Sequence, residues 1–198
     1  MTKPFILGLT GSIGMGKSTV SAMFREAGVP VFDADAVVHE LQGPDGALLP
    51  MIEQAFPGTT GPQGVDRARL GAAVFGDPLK LKRLEAIVHP AVGAMRAGFL
   101  EDNAQQRLIV FDIPLLFEKG GFDMVDAVAV VSAPPEAQRA RVLARPGMTE
   151  EKFAQIMAIQ VPDAEKRARA DYVIDTGGPP DATRAFVEQL VDELTRSG

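Results

Sequence analysis

The chain has 198 residues, 46% hydrophobic and 23% charged, enough for one sizeable core with a small insert. A net charge of −6 and a pI near 5.0 argue against broad binding to nucleic acid or an anionic membrane, while leaving room for a locally positive pocket. There is no cysteine and there are two histidines, so disulfides, thiolate zinc sites and histidine metal clusters drop out.

The first apolar run, in "MTKPFILGLTGS", is too short for a signal peptide and leads straight into glycines. No run approaches the ~18 residues of a membrane span. The expectation is a soluble, cytoplasmic protein with no membrane partner. Phe5 to Thr10 predicts a buried strand. From Lys17, the positions Val20, Met23, Phe24 and Ala27 mark one helical face, closed by Gly28. "VPVFDAD" predicts a second strand ending at Asp33, with a helix through Val37, Val38 and Leu41. Residues 43–77 are rich in Gly, Pro and polar groups and predict short helices joined by turns, outside the sheet. Leu81, Leu84 and Val88 share a helical face, and Pro90 is expected to start a separate helix carrying Val92, Met95 and Phe99. "RLIVFDIP" and "DAVAVVSAP" predict the third and fourth strands, followed by a basic helix in "EAQRARVLARPGM". "ADYVIDTGG" supplies a fifth strand and turn, and Phe186, Val187, Leu190, Val191 and Leu194 form a stripe on a final helix. Strands alternating with helices predict an α/β fold with a parallel sheet.

Gly11, Gly16, Lys17 and Ser18 complete G-x-x-x-x-G-K-[ST] between the first strand and the first helix. The loop Gly11, Ser12, Ile13, Gly14, Met15, Gly16, Lys17, Ser18 and Thr19 is expected to cradle nucleotide phosphates. Its glycines let amides turn inward, and the helix N-terminus adds a positive dipole end. Lys17 would bridge the β- and γ-phosphates and the Ser18 hydroxyl would ligate Mg²⁺, so ATP and Mg²⁺ are the expected cofactors. The dinucleotide pattern G-x-G-x-x-G is not met. A guanine-reading N-K-x-D is absent, and "DTGG" at 175–178 follows the last strand, too late for a switch motif.

A small-molecule kinase needs a carboxylate near the acceptor hydroxyl. Asp33 and Asp35 end the second strand; Asp33 is expected to serve the acceptor and Asp35 either to join it or to cap the next helix, the alternative being that one of the two only caps that helix. Arg141 and Arg145 are i, i+4 on the basic helix and can clamp phosphates, with Arg139 beside them; the alternative is a solvated basic face paired with Glu136 and its neighbours. Asp112 ends "LIVFD" as a candidate for holding Mg²⁺ through water, or as a polar strand end.

Assembled, the chain resembles the dephospho-CoA kinase family from Leu7 to about Gly177. The resemblance is carried by "GLTGSIGMGKST", "GVPVFDAD", "DRARLGAAVFGDP", "LEAIVHPAV", "DIPLLFE", "EAQRARVLAR" and "QVPDAEKRARADYVID". It implies a three-layer P-loop NTPase fold with a five-stranded parallel sheet in the order 2-3-1-4-5, a helical acceptor-binding insert over 36–105 and lid helices over 136–169. The core would then comprise 1–35, 106–135 and 170–198. It further implies phosphoryl transfer from ATP to the ribose 3′-hydroxyl of dephospho-CoA, with Asp33 as base. His89 with Pro90, and Pro114, Leu115, Leu116 and Glu118, would surround the acceptor. Arg141 and Arg145 would belong to the lid, and Asp175, Thr176 and Gly177 would approach adenine. Gln160 and Lys166 fit the family pattern without an assigned chemistry. Ser12 stands where a second glycine is usual, Thr176 where asparagine is frequent, and "RPGM" where many members have a charged pair. Asp112 is not a fixed family position. A monomer or weak homo-oligomer is expected. Two other readings stand beside this one: a kinase of another nucleotide or small metabolite, and a non-catalytic nucleotide-gated binding module.

Overall fold

The structure, a computed structural model, describes residues 3–196. In chain order, β1 (Phe5–Thr10), α1 (Lys17–Glu26) and β2 (Val31–Asp33) lead into α2 (Ala34–Gln42), α3 (Leu49–Ala55), the short strands β3 (Thr60–Gly61) and β4 (Gly64–Val65), α4 (Arg67–Val74) and α5 (Pro78–Asp102). Then follow β5 (Leu108–Asp112), α6 (Leu116–Lys119), β6 (Ala127–Ser132), α7 (Pro135–Leu143), α8 (Glu150–Ile159), α9 (Asp163–Ala168), β7 (Tyr172–Asp175) and α10 (Pro180–Arg196). Asp33–Asp102 forms one compact unit, and the chain on either side of it forms the other.

The larger unit is built on a five-stranded sheet in the order β2-β5-β1-β6-β7, with β1 parallel to β5 and β6, and β6 parallel to β7. With the β3–β4 hairpin strands left uncounted, this is the order 2-3-1-4-5. The continuous apolar runs "LIVF" and "AVAVV" fit strands covered on both faces, and every residue of β5 and β6 is buried. On one face Leu7, Leu9, Val110, Ala129 and Val131 meet Val20, Met23 and Phe24 of α1 and Val187, Leu190 and Leu194 of α10. On the other, Val128 and Val130 meet Leu116 and Phe117. Full burial of a side chain such as Phe24 contributes about 1.5–3 kcal/mol.

Helix α1 stops where Gly28 takes φ 79°, with the Val29 N–H donating to the Phe24 carbonyl at 3.0 Å and the Gly28 N–H to the Arg25 carbonyl at 3.0 Å. This Schellman arrangement returns the chain toward β2. On α10 the buried stripe is Thr183, Val187, Leu190 and Leu194, while Phe186 is left 39% exposed. Thr183 can face inward because its hydroxyl donates to the Asp175 carbonyl at 2.8 Å.

In the unit Asp33–Asp102, Leu41, Leu48, Ile52, Phe56 and Leu70 form the core. Glu53 pins the turn before the hairpin, accepting from the Gly58 N–H at 2.6 Å and the Thr60 hydroxyl at 2.7 Å. The expected break at Pro90 is corrected, since α5 runs unbroken for 25 residues with Pro90 inside it. The reason is visible in the packing. Leu84, Ile87, Val88, Ala91 and Val92 all pack on the same core, so the i, i+3, i+4 stripe crosses the proline without losing phase. That burial outweighs the one N–H that proline lacks.

Pro90→Ala restores an interior helix N–H, so it is expected to raise stability to urea by about 1–3 kcal/mol with unchanged helix content. A neutral or destabilising effect would place Pro90 at a helix start instead.

Candidate active site

The phosphate loop leaves β1 at the centre of the sheet, and its glycines are required by close approach as well as by backbone angle. A Cβ on Gly11 would lie 2.8 Å from the Val131 carbonyl oxygen. Gly14 has φ 77°, and a Cβ there would lie 2.4 Å from Val142 Cγ2 of α7. Gly16, at φ 89°, precedes Lys17 in a left-handed conformation and makes no side-chain cap to the helix. The first turn of α1 therefore presents its leading amides, those of Lys17 and Ser18, to an incoming anion, while the Thr19 N–H donates to the Gly16 carbonyl. Ser12, in place of the usual glycine, is 3% exposed, and its Oγ has no hydrogen-bond partner among the described residues.

The loop is tied down from outside. Met15 is buried; its carbonyl accepts the Thr176 hydroxyl at 2.6 Å, and its Sδ accepts the Ala133 N–H at 3.2 Å. Thr176 in turn receives two bonds from Arg141, Nη1 to Oγ1 at 3.0 Å and Nη2 to the carbonyl at 2.6 Å. The Ile13 N–H is taken by Gln160 Oε1 at 3.1 Å, and its carbonyl by Gln138 Nε2 at 2.8 Å. The backbone of Ile13 is thus committed to α7 and the end of α8 rather than to a phosphate.

Lys17 Nζ forms an ion pair with Asp112, which is 2% exposed. The register explains the meeting, since Asp112 ends β5 opposite Leu9, just below the loop. Gly16, Thr19, Met23, Arg141, Thr176 and Pro180 are among the residues lining a cavity of about 230 Å³. It runs from the loop to the turn after β7, where Asp175 Oδ1 accepts the Gly177 N–H at 2.7 Å. Arg145 is solvent-exposed, and Arg139 pairs with Glu150 of α8.

No group of three or more His, Cys, Asp or Glu able to hold a metal occurs among the described residues. The Ser18 hydroxyl and the Asp112 carboxylate are, however, hard oxygen donors of the kind Mg²⁺ takes together with phosphate oxygens and water. They fit a metal that arrives with a nucleotide.

Asp33 is the residue that caps α2, its Oδ1 accepting the Ala36 N–H at 2.9 Å, whereas Asp35 is exposed in the first turn. His89 and Pro90 are exposed on α5. The Pro114 carbonyl accepts the Thr10 hydroxyl at 3.2 Å, and Leu115 is partly exposed. Leu116 is fully buried against Phe117, Val128 and Val130, so its side chain supports this turn from within and offers no face to a ligand. Glu118, expected beside the acceptor, is instead drawn inward, its side chain 11% exposed. Its Oε1 lies 2.7 Å from Lys166 Nζ and accepts the Val161 N–H at 2.9 Å, and Lys166 is 0% exposed. Burial pushes the Glu118 carboxyl up, but the Lys166 ammonium and the Val161 N–H outweigh it and hold the carboxyl below its usual range. Gln138, Gln160 and Lys166 carry no assigned chemistry in the sequence; their signal is that they fall within the family-like stretches "EAQRARVLAR" and "QVPDAEKRARADYVID".

A model of the dephospho-CoA kinase family matches residues 5–181. The chain is 68% identical to a dephospho-CoA kinase of Novosphingobium aromaticivorans, over 100% of this chain and 96% of that protein. It is 59% identical to one of Mesorhizobium japonicum, over 96% of each. A crystal structure from Thermus thermophilus aligns with a TM-score of 0.83 at 37% identity, over 96% of this chain and 98% of that one. Dephospho-CoA kinase from Campylobacter jejuni shares the fold with a TM-score of 0.64 at 22% identity, over 96% and 97% of the two chains.

Lys166→Met strands the Glu118 carboxylate in the interior and is expected to cost about 3–5 kcal/mol in urea unfolding at neutral pH. Because the folded value of Glu118 is lowered, its contribution is present above the ordinary carboxylate range and lost as pH falls through that lowered value. The gap between wild type and variant should therefore narrow in acid. A gap independent of pH would contradict this assignment.

Proposed function

This chain belongs to the dephospho-CoA kinase family, and we propose that it transfers the γ-phosphoryl group of ATP to the 3′-hydroxyl of the ribose of dephospho-CoA, yielding coenzyme A and ADP. The observation that carries the phosphate half is the loop itself, with an uncapped helix N-terminus, a lysine beside it and a buried aspartate paired to that lysine.

In this reading the amides of Gly14, Gly16, Lys17 and Ser18 bind the β- and γ-phosphates, the Met15 and Thr19 N–H groups being taken by the Ser12 and Gly16 carbonyls, and the 230 Å³ cavity beside Thr176 takes the adenosine end. Arg141, held by Thr176 at the mouth of that cavity, and Arg145 face the developing negative charge. Lys17 exchanges part of its pairing with Asp112 for phosphate oxygens. Ser18 and Asp112 would hold Mg²⁺, which when bound would supply charge neutralisation on the transferring group. The ribose hydroxyl attacks the γ-phosphorus in line, its proton passes to the Asp33 carboxylate, and the bond to the β-phosphate oxygen breaks with its electron pair leaving on ADP. Asp35, His89, Pro114 and Leu115 are assigned to the acceptor side, with Leu116 and Glu118 shaping the turn beneath it. Among the described residues no helix is long and apolar enough to cross a membrane. The proposal places the reaction in the cytoplasm, on a monomer or weak homo-oligomer.

Asp33→Asn is the direct test of the base, since asparagine can still cap α2. Its kcat with dephospho-CoA is expected to fall by about 10²-fold or more while ATP affinity is kept. An unaltered rate in a coupled ADP assay would overturn the assignment. Equal ADP release with other nucleosides and small alcohols in the same assay would overturn the substrate.

A further inference from the structure

The reaction described above leaves a fully buried lysine unused. Lys166 lies 2.7 Å from Glu118 Oε1, and that oxygen also accepts the Val161 N–H at 2.9 Å. The Val161 N–H belongs to the peptide that follows Gln160, the C-cap of α8. Glu118 therefore fixes the peptide plane from which the Gln160 side chain departs. That side chain accepts the Ile13 N–H at 3.1 Å, opposite the bond at 2.8 Å from Gln138 to the Ile13 carbonyl. A continuous set of contacts runs from a buried ion pair on α6 and α9 to one peptide of the phosphate loop.

A buried ion pair rarely stabilises a fold more than an apolar pair of the same volume, because desolvation offsets the attraction. What it supplies here is placement. The glycine-rich loop has more backbone freedom than most segments, and any part of that freedom not removed beforehand opposes phosphate binding. We infer that Lys166 and Glu118 are positioning residues which, through Gln160, hold the Ile13 peptide so that the phosphate loop is in its anion-accepting form before nucleotide arrives. The inference rests on the reading of this loop as the ATP site, but not on the identity of the acceptor.

The test is titration calorimetry of the full chain with Mg²⁺ and a non-hydrolysable ATP analogue, alongside thermal melting. Gln160→Ala is expected to weaken binding about tenfold with little change in Tm. The pair Glu118→Leu with Lys166→Met leaves no buried charge but removes the acceptor for Val161, and it should weaken binding to a similar extent. The pair Glu118→Gln with Lys166→Met keeps an acceptor oxygen and should bind nearly as wild type does. Adding Gln160→Ala to the leucine–methionine pair should give no further loss, because the three act through one contact. Wild-type affinity in Gln160→Ala, or additive losses in the triple variant, would overturn the inference. Should a pair fail to fold, Gln160→Ala alone still decides it. No turnover is read, so failure to phosphorylate dephospho-CoA would sink the proposed function and leave this result legible.

Discussion

A loop can turn several amides toward one anion only if its carbonyls are satisfied elsewhere, and the rest of the site depends on how this chain meets that constraint. The Ser12 carbonyl accepts from the Met15 N–H, that of Ile13 from Gln138, that of Met15 from Thr176, and that of Gly16 from Thr19 and Val20. Two of these partners come from the turn after β7 and from α7, segments far away in sequence. The loop conformation is thus a property of the whole larger unit rather than of its own glycines. The glycines permit the shape, and Thr176 and Gln138 impose it.

The same logic locates the positive charge. An acidic chain can bind polyanions only where cations are concentrated and fixed in place. Lys17 is fixed by the strand register that puts Asp112 below it, and Arg141 by its two bonds to Thr176. Thr176 is thereby a junction between the loop, α7 and the cavity wall. A residue that in sequence reads as a polar substitute in an adenine-side turn becomes the contact on which loop and arginine both rest.

What was legible in the sequence follows from which forces are local. The strands β1, β5 and β6 showed as apolar runs because they are buried on both faces, β7 showed by the short apolar run around its buried Ile174 although it is an edge strand, and the loop showed because its amide geometry demands glycine at fixed spacing. Asp33 as the end of β2 was legible from the short apolar run before it, whereas its capping of α2 was not, because Asp35 two residues on offers the same carboxylate and only the bond to the Ala36 N–H separates them. Pro90 misled because a proline's helix-starting preference is local, whereas the stripe that carries α5 through it is tertiary. The β3–β4 hairpin was invisible, since strands of two residues carry no alternation. Glu118 and Lys166 were illegible as a pair because they stand 48 positions apart, and a buried ion pair leaves no periodic trace. The tie from Gln160 to Ile13 spans 147 positions and is likewise a product of the fold alone.

The central claim is that the phosphate held by this loop is passed to a sugar hydroxyl. Phosphorus NMR and mass analysis of dephospho-CoA after incubation with the protein, ATP and Mg²⁺ test it most directly. The account predicts a product carrying one added phosphate on the ribose 3′-oxygen, formed in step with ADP. Recovery of unmodified dephospho-CoA from a mixture in which ATP has been hydrolysed, or left untouched, would contradict it.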